Sequence, residues 1–188
     1  HLDRGVLLLD GAIGTQLQAM GLKTGEAPER WNLEHPDRVL RMHRRYVEAG
    51  ARALTTNSFG GSPVKLKKSG LTEVYQINYQ AAAIAREAAA GKAWVMGSVG
   101  PTGEMPEPLG TISPAGMEEA FAHQIKGLLD GGADWIIVET MTALEEALAA
   151  VKAAKGSSDA AVIACMTFDR GPRGYFTMMG VDIPRAVE

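Results

Sequence analysis

Five short apolar runs punctuate the chain, and each ends in polar residues or glycine. Val6-Leu7-Leu8-Leu9 ends at Asp10, Ala53-Leu54-Thr55-Thr56 ends at Asn57, and Trp94-Val95-Met96 ends at Gly97-Ser98. Trp135-Ile136-Ile137-Val138 ends at Glu139, and Val162-Ile163-Ala164-Cys165 ends at Thr167 and Asp169. The runs are almost wholly apolar rather than alternating, which is the pattern of parallel strands covered on both faces. Helical periodicity follows each of the first four. If every run is a parallel strand, all of these polar groups lie along one edge of the sheet, where α/β proteins place their chemistry.

The intervening stretches carry helix signals. Residues 36–49 place Val39, Leu40, His43, Tyr46 and Val47 at three-to-four spacing, with Pro36 suited to the first turn. Residues 71–90 are alanine-rich, with Val74, Ile77, Ala81 and Ile84 or Ala85 on one face. Ser113-Pro114 opens a third helix as N-cap and first residue, its face being Met117, Phe121, Ile125 and Leu128. Thr142-Ala143-Leu144-Glu145 reads as a capping box for a fourth. Asp182-Ile183-Pro184 starts a fifth. Glu48-Ala49-Gly50-Ala51-Arg52 and Asp130-Gly131-Gly132-Ala133-Asp134 echo one another: in each, glycine ends a helix in the left-handed conformation and a strand follows at once.

This is a repeated βα unit, and two architectures accommodate it. One is a five-stranded doubly wound domain. The other is the first five units of an eight-fold barrel, which usually needs about 250 residues. Residues 22–34 and 100–114 interrupt the rhythm with polar and proline-rich sequence after strand ends. Both insertions are expected to lie over the functional edge.

Composition narrows the partners. A formal charge of −3 over 188 residues offers no basic face, so nucleic acid is not an expected partner. No apolar run approaches the roughly 20 residues that cross a bilayer, and the N-terminal stretch runs into Asp10-Gly11 too early for a secretory leader. The single cysteine precludes an internal disulfide and fits a reducing compartment, so a cytoplasmic location is expected.

The candidate chemistry sits at the run ends. Asp10-Gly11-Ala12-Ile13-Gly14-Thr15 offers a carboxylate followed by a turn whose N–H groups can face an anion; its spacing is not the dinucleotide fingerprint. Thr55-Thr56-Asn57-Ser58-Phe59-Gly60-Gly61 is dense in hydrogen-bonding groups. Glu139 follows the most apolar run, so its carboxylate is half desolvated and needs a cation. Together Asp10 and Glu139 could bind an ammonium group, bind a metal, or act as acid and base. The plainer alternative is a salt bridge from Glu139 to Arg170 or Arg173. Asp169 reads as part of a solvated turn, and Cys165 as a small core residue. The histidines, His1, His35, His43 and His123, include no pair at metal-ligand spacing.

Taken in order, Asp10 to Leu17, Glu29-Arg30-Trp31-Asn32, Thr55 to Gly60, Gly97-Ser98-Val99-Gly100-Pro101-Thr102-Gly103 and Glu139-Thr140-Met141 resemble the homocysteine S-methyltransferase family. That family includes the homocysteine-binding module of cobalamin-dependent methionine synthase and betaine–homocysteine methyltransferase. The resemblance implies a (β/α)8 TIM barrel, with residues 1–188 as a partial homocysteine-binding barrel. It implies that Asp10 and Glu139 hold the homocysteine amino group, that N–H groups from Gly11, Ala12, Gly14 and Thr15 face its carboxylate, and that Asn57 lines the pocket. It also implies a zinc ion that activates the homocysteine thiol for methylation to methionine. Its ligands are three cysteines, one in an Asn-Cys-Gly-like motif after the sixth strand and two in a Gly-Gly-Cys-Cys-like motif after the eighth. This chain contains neither motif, and Cys165 matches neither. The expectation is therefore a portion of a methyltransferase without its metal site and without activity of its own. The donor is open among a methylcorrinoid, with a corrinoid-binding domain or protein as partner, S-methylmethionine and betaine. Two other functions fit the same residues: a metal-free amino-acid-binding module, and a different barrel enzyme using Asp10 and Glu139 as acid and base. An open barrel edge would also invite self-association.

Overall fold

Four of the five apolar runs form one parallel sheet in the computed structural model, which describes residues 5–188; His1 lies outside the described residues. The strands are β1 (Ala53–Thr55), β2 (Trp94–Val99), β3 (Trp135–Met141) and β4 (Ala161–Met166), in the order β1-β2-β3-β4. All three pairings are parallel. A two-stranded antiparallel hairpin, β5 (Asp169–Gly171) and β6 (Gly174–Phe176), follows β4. It contains the expected turn after Asp169, although its strands are not evident from the apolar pattern.

The first run does not become a strand. It meets the sheet through one parallel bridge, Leu9 to Ala53, while Arg52 and Ala53 donate their N–H groups to the Leu8 carbonyl at 2.8 and 3.2 Å. Val6 is 96% exposed and Leu8 55%, so the apolar burial that would stabilise a longer ladder is missing.

The helices are α1 (Gly14–Ala19), α2 (Trp31–Glu34), α3 (Pro36–Glu48), α4 (Pro63–Lys68), α5 (Val74–Ala89), α6 (Pro114–Asp130), α7 (Leu144–Ser157) and α8 (Ile183–Val187). Ser113 caps α6 by accepting the Gly116 N–H, and Asp182 caps α8 by accepting that of Arg185. The capping box expected at Thr142 is not made: Ala143 keeps an extended backbone (φ −114°, ψ 129°), so it, and not Thr142, is the N-cap of α7, with no side-chain cap. The echo at the helix ends is real. Gly50 (φ +104°) and Gly132 (φ +102°) take the left-handed conformation, and the next residues, Ala51 and Ala133, donate back to Tyr46 and Leu128. That closes the last helical turn and releases the chain directly towards β1 and β3.

Each strand lies beside its sequence neighbour, and α3, α5, α6 and α7 pack in succession. A doubly wound sheet would reverse its order at a switch point; this sheet does not. The helix-facing side of the sheet, with Val99, Ile136 and Val138, joins Met117, Phe121, Ile125 and Leu128 of α6 in the largest core cluster. The opposite side carries a smaller cluster of Ala53, Met96 and Ile137, extended by Leu7, Trp135 and Ile163. Trp94 and Trp135 stack there at 5.4 Å between ring centroids. No helix of the described residues is long and apolar enough to cross a membrane.

His43 on α3 is fully buried, and neither ring nitrogen has a hydrogen-bond partner. Burial lowers its pKa from 6.5 to about 4. Between those values the unfolded chain carries a proton that the folded chain lacks, so stability falls as pH drops through the window. From pH 7.5 to pH 5 this one group should remove about 2 kcal/mol. Urea unfolding of the protein and of His43→Leu at both values should show that much less pH dependence in the variant; equal slopes would contradict it.

Candidate active site

A cavity of about 670 Å³ opens at the carboxyl ends of the strands, and Asp10, Gly11, Ala12, Gly14, Asn57 and Glu139 all line it. Thr15 does not: it sits exposed in the first turn of α1, one residue past the cavity wall. Thr167 also stays out of the wall, its N–H tied to the Met141 carbonyl at 2.8 Å. Of the two insertions, the first contributes Gly25 through Glu29 to the cavity, whereas residues 100–114 contribute none. That second loop is drawn towards the helices instead. Thr102 donates its N–H and hydroxyl to buried Glu146 of α7 at 2.8 and 2.7 Å, and Lys68 pairs with Glu104 at 2.6 Å.

Asp10 is held by β1. The Thr55 N–H donates to one carboxylate oxygen at 2.9 Å and the Thr55 hydroxyl to the other at 3.1 Å. Burial nevertheless raises the Asp10 pKa to about 6; the Thr55 hydrogen bonds oppose the rise, and the negative charge of Glu139 adds to it. Glu139 accepts the Ser98 hydroxyl at 2.6 Å. Among the described residues neither Arg170 nor Arg173 forms an ion pair with it.

A β-bulge aims Glu139. Val138 pairs with Ala164 and Met141 with Met166, so β3 carries one residue more than β4 over that interval. The extra residue leaves Thr140 at φ +61°, a strained conformation for a β-branched side chain. Val138 and Met141 can then both join the core beneath the helices, while Glu139 faces the cavity.

The glycine turn is shaped by Tyr46 of α3. Its hydroxyl donates to the Ala12 carbonyl at 2.8 Å, and a Cβ on Gly11 would lie 3.1 Å from the ring and hydroxyl. Among the described residues the N–H groups of Gly11, Ala12 and Ile13 donate to no protein acceptor, so they are available to a ligand. Asn57 is committed differently. Its amide donates to the Pro28 carbonyl at 2.8 Å and to Asn32 Oδ1 at 2.9 Å, and Asn32 donates back to the Asn57 carbonyl at 2.8 Å. Asn57 therefore clamps the first insertion over the cavity. Glu29 does the same from the other side, accepting the Gly60 N–H at 2.6 Å; burial raises its pKa, and nearby Lys65 opposes the rise.

Sequence reasoning passed over Thr55, Ser98 and Lys65 as individual site residues. Ser62-Pro63, the same N-cap signal as Ser113-Pro114, marks α4 and would have placed Lys65. Among the described residues no three His, Cys, Asp or Glu side chains converge as a metal site. Cys165 on β4 is exposed rather than the small core residue expected; partial burial of its thiol, with the charge of Glu139, raises its pKa. The residues present do not fit the implied zinc.

The homocysteine S-methyltransferase family profile matches residues 7–188. Over 163 residues the chain is 37% identical to methionine synthase of Mycobacterium tuberculosis and 34% identical to that of Mycobacterium leprae. Each match covers 80% of this chain, but only 14% and 13% of the relatives, so the chain spans a small part of their length. The crystal structure of the metallated form of the homocysteine methyltransferase MmuM from Escherichia coli superposes with a TM-score of 0.82 at 25% identity. That match covers 99% of this chain and 70% of MmuM.

Thr55→Val keeps the backbone hydrogen bond to Asp10 and removes the hydroxyl. Because the Thr55 bonds lower the Asp10 pKa, the variant should titrate above the parent value of about 6. Carbon-detected NMR of the labelled carboxylate measures it; an unchanged or lower midpoint would contradict the assignment.

Proposed function

The chain belongs to the homocysteine S-methyltransferase family, and we propose that its part in that chemistry is to bind and orient homocysteine, the methyl acceptor that becomes methionine. The observation that carries this reading is the pair Asp10 and Glu139: two carboxylates at one cavity, close enough for Glu139 to raise the Asp10 pKa. A ligand ammonium group supplies the missing cation. The free N–H groups of Gly11, Ala12 and Ile13 offer the amino acid's carboxylate a neighbouring site. Asn57 and Glu29 act by holding the insertion that walls the cavity.

In this reading the sheet is part of a (β/α)8 barrel, to which the chain supplies about the first five βα units as one homocysteine-binding domain. The unreversed strand order and the superposition on MmuM support it. The described residues of the cavity serve recognition in this reading: they bind and orient the amino acid. The methyl donor, whether methylcorrinoid, S-methylmethionine or betaine, comes from a partner domain or from solution. A reducing, cytoplasmic setting suits both the single cysteine and a thiol substrate.

Two outcomes are expected from titration calorimetry of the full-length protein. Glu139→Gln removes a charge-assisted hydrogen bond worth roughly 1.5–3 kcal/mol, so the homocysteine dissociation constant should rise about ten-fold or more, with metal content unchanged. Unchanged affinity would show that Glu139 does not hold the ligand. For the parent protein, an ammonium group favours ionised Asp10, so binding expels the proton that Asp10 retains below pH 6. Homocysteine should therefore bind more tightly at pH 7.5 than at pH 5.5, with proton release near pH 6. Affinity that is flat over this range would contradict a role for Asp10.

A further inference from the structure

We propose that Lys65 anchors a ligand carboxylate at the end of the cavity bounded by Phe59 and Gly60, an inference that rests on the homocysteine reading. Among the described residues the charged side chains of the cavity wall are Asp10, Glu26, Glu29, Glu139 and Lys65, and Lys65 is the one cation of that set. Among the described residues Lys65 makes no ion pair. Its ammonium stands over the Phe59 ring, 6.0 Å from the centroid. Glu29 is near enough for Lys65 to lower its pKa, but that carboxylate already accepts the Gly60 N–H. Lys65 thus stands at the cavity wall with Glu29 nearby but, among the described residues, with no ion pair to it.

The backbone holds it in place. Ser62 caps α4 by accepting the Lys65 N–H at 3.2 Å, and Leu66, the next residue, is fully buried. Lys65 therefore leaves α4 from a fixed point, and its four-carbon stem lies along Gly60, where a Cβ would meet Lys65 Cγ at 3.3 Å. An ammonium is a compact point charge on a flexible stem, so it can meet a carboxylate without the fixed fork geometry of a guanidinium.

Cavity size leaves two sources for that carboxylate. A volume of about 670 Å³ is that of a drug-sized site, and homocysteine is much smaller. The anion is either the carboxylate of homocysteine itself or that of a second amino-acid-like molecule, such as a methyl donor, bound beside it.

The test is calorimetry on the full-length protein, its Lys65→Met variant, which keeps the stem and loses the charge, and Lys65→Arg. The probes are homocysteine, 3-aminopropane-1-thiol, which is homocysteine without its carboxylate, and S-methylmethionine added to the homocysteine-loaded protein. Lys65→Met should weaken one of the two carboxylate ligands about ten-fold, and Lys65→Arg should restore part of the loss. Binding of 3-aminopropane-1-thiol should not change, which also shows that the variant is folded. A loss confined to homocysteine assigns the substrate carboxylate; a loss confined to S-methylmethionine assigns the second molecule. Unchanged homocysteine affinity with no Lys65-dependent S-methylmethionine binding overturns this inference alone. A parent protein that binds no homocysteine overturns the homocysteine reading and this inference with it.

Discussion

Parallel strands that stop at the same edge leave backbone groups unpaired there, and this structure is organised around satisfying them. At the ends of β1 and β2 the repair is made by short side chains. Ser98 donates its N–H to the Thr56 hydroxyl at 2.9 Å, the Ser58 hydroxyl donates to the Ser98 carbonyl at 2.8 Å, and Gln124 reaches up from α6 to the Ser58 carbonyl at 2.7 Å. All of these residues are buried. An unpaired buried polar group costs about 1–3 kcal/mol, so the network fixes where the chain turns after each strand. It also fixes Gly61, where a Cβ would lie 2.2 Å from Asn78 Oδ1 and 2.8 Å from the Gln124 amide nitrogen. The cavity has a rigid floor because its polar groups bind one another.

Against that floor, Asp10 and Glu139 stand out as incompletely served. Among the described residues each carboxylate has one partner residue, Thr55 for Asp10 and Ser98 for Glu139, and both donors are neutral. Neutral donors orient a carboxylate without cancelling its charge. Away from the cavity, Asp134 is met by the Arg86 guanidinium at 2.6 Å. Under the proposed function, that difference leaves Asp10 and Glu139 open to a ligand's cation. Glu146 is a third case, nearly buried yet given over to the N–H and hydroxyl of Thr102, which pins the second insertion to α7.

Much of this was legible in the chain because the physics is local. Ser113-Pro114 and Asp182-Ile183-Pro184 start helices through caps that need only adjacent residues, and Gly50 and Gly132 end them through a backbone conformation that glycine adopts freely. The polar residues closing each apolar run marked the functional edge for the same reason. What stayed hidden depended on distant partners. Val6 to Leu9 is as apolar as any strand here, yet its fate turns on what covers it. Asn57 lines the cavity as its place at a strand end suggests, but nothing near it in sequence shows that Pro28 and Asn32 will take its amide N–H groups. Residues 22–34 follow α1 rather than the strand end expected, and residues 100–114, which do follow β2, are drawn from the cavity by contacts with Glu146 and Lys68.

The bulge at Thr140 shows how closely site and core are coupled. Strict alternation along β3 would put Glu139 and Met141 on the same side of the sheet, either driving a carboxylate into the helix-side core or leaving Met141 outside it. One extra residue resolves the conflict, and its left-handed backbone costs of order 1–3 kcal/mol for a threonine. Met141, fully buried among Val138, Met166 and the helices, offsets that cost through apolar burial. The strain persists because the core on one side and the cavity on the other impose opposite demands on Glu139 and Met141, two residues that a regular strand would place on the same side. The orientation of Glu139 is therefore a property of the whole β3–α7 packing, not of the cavity alone.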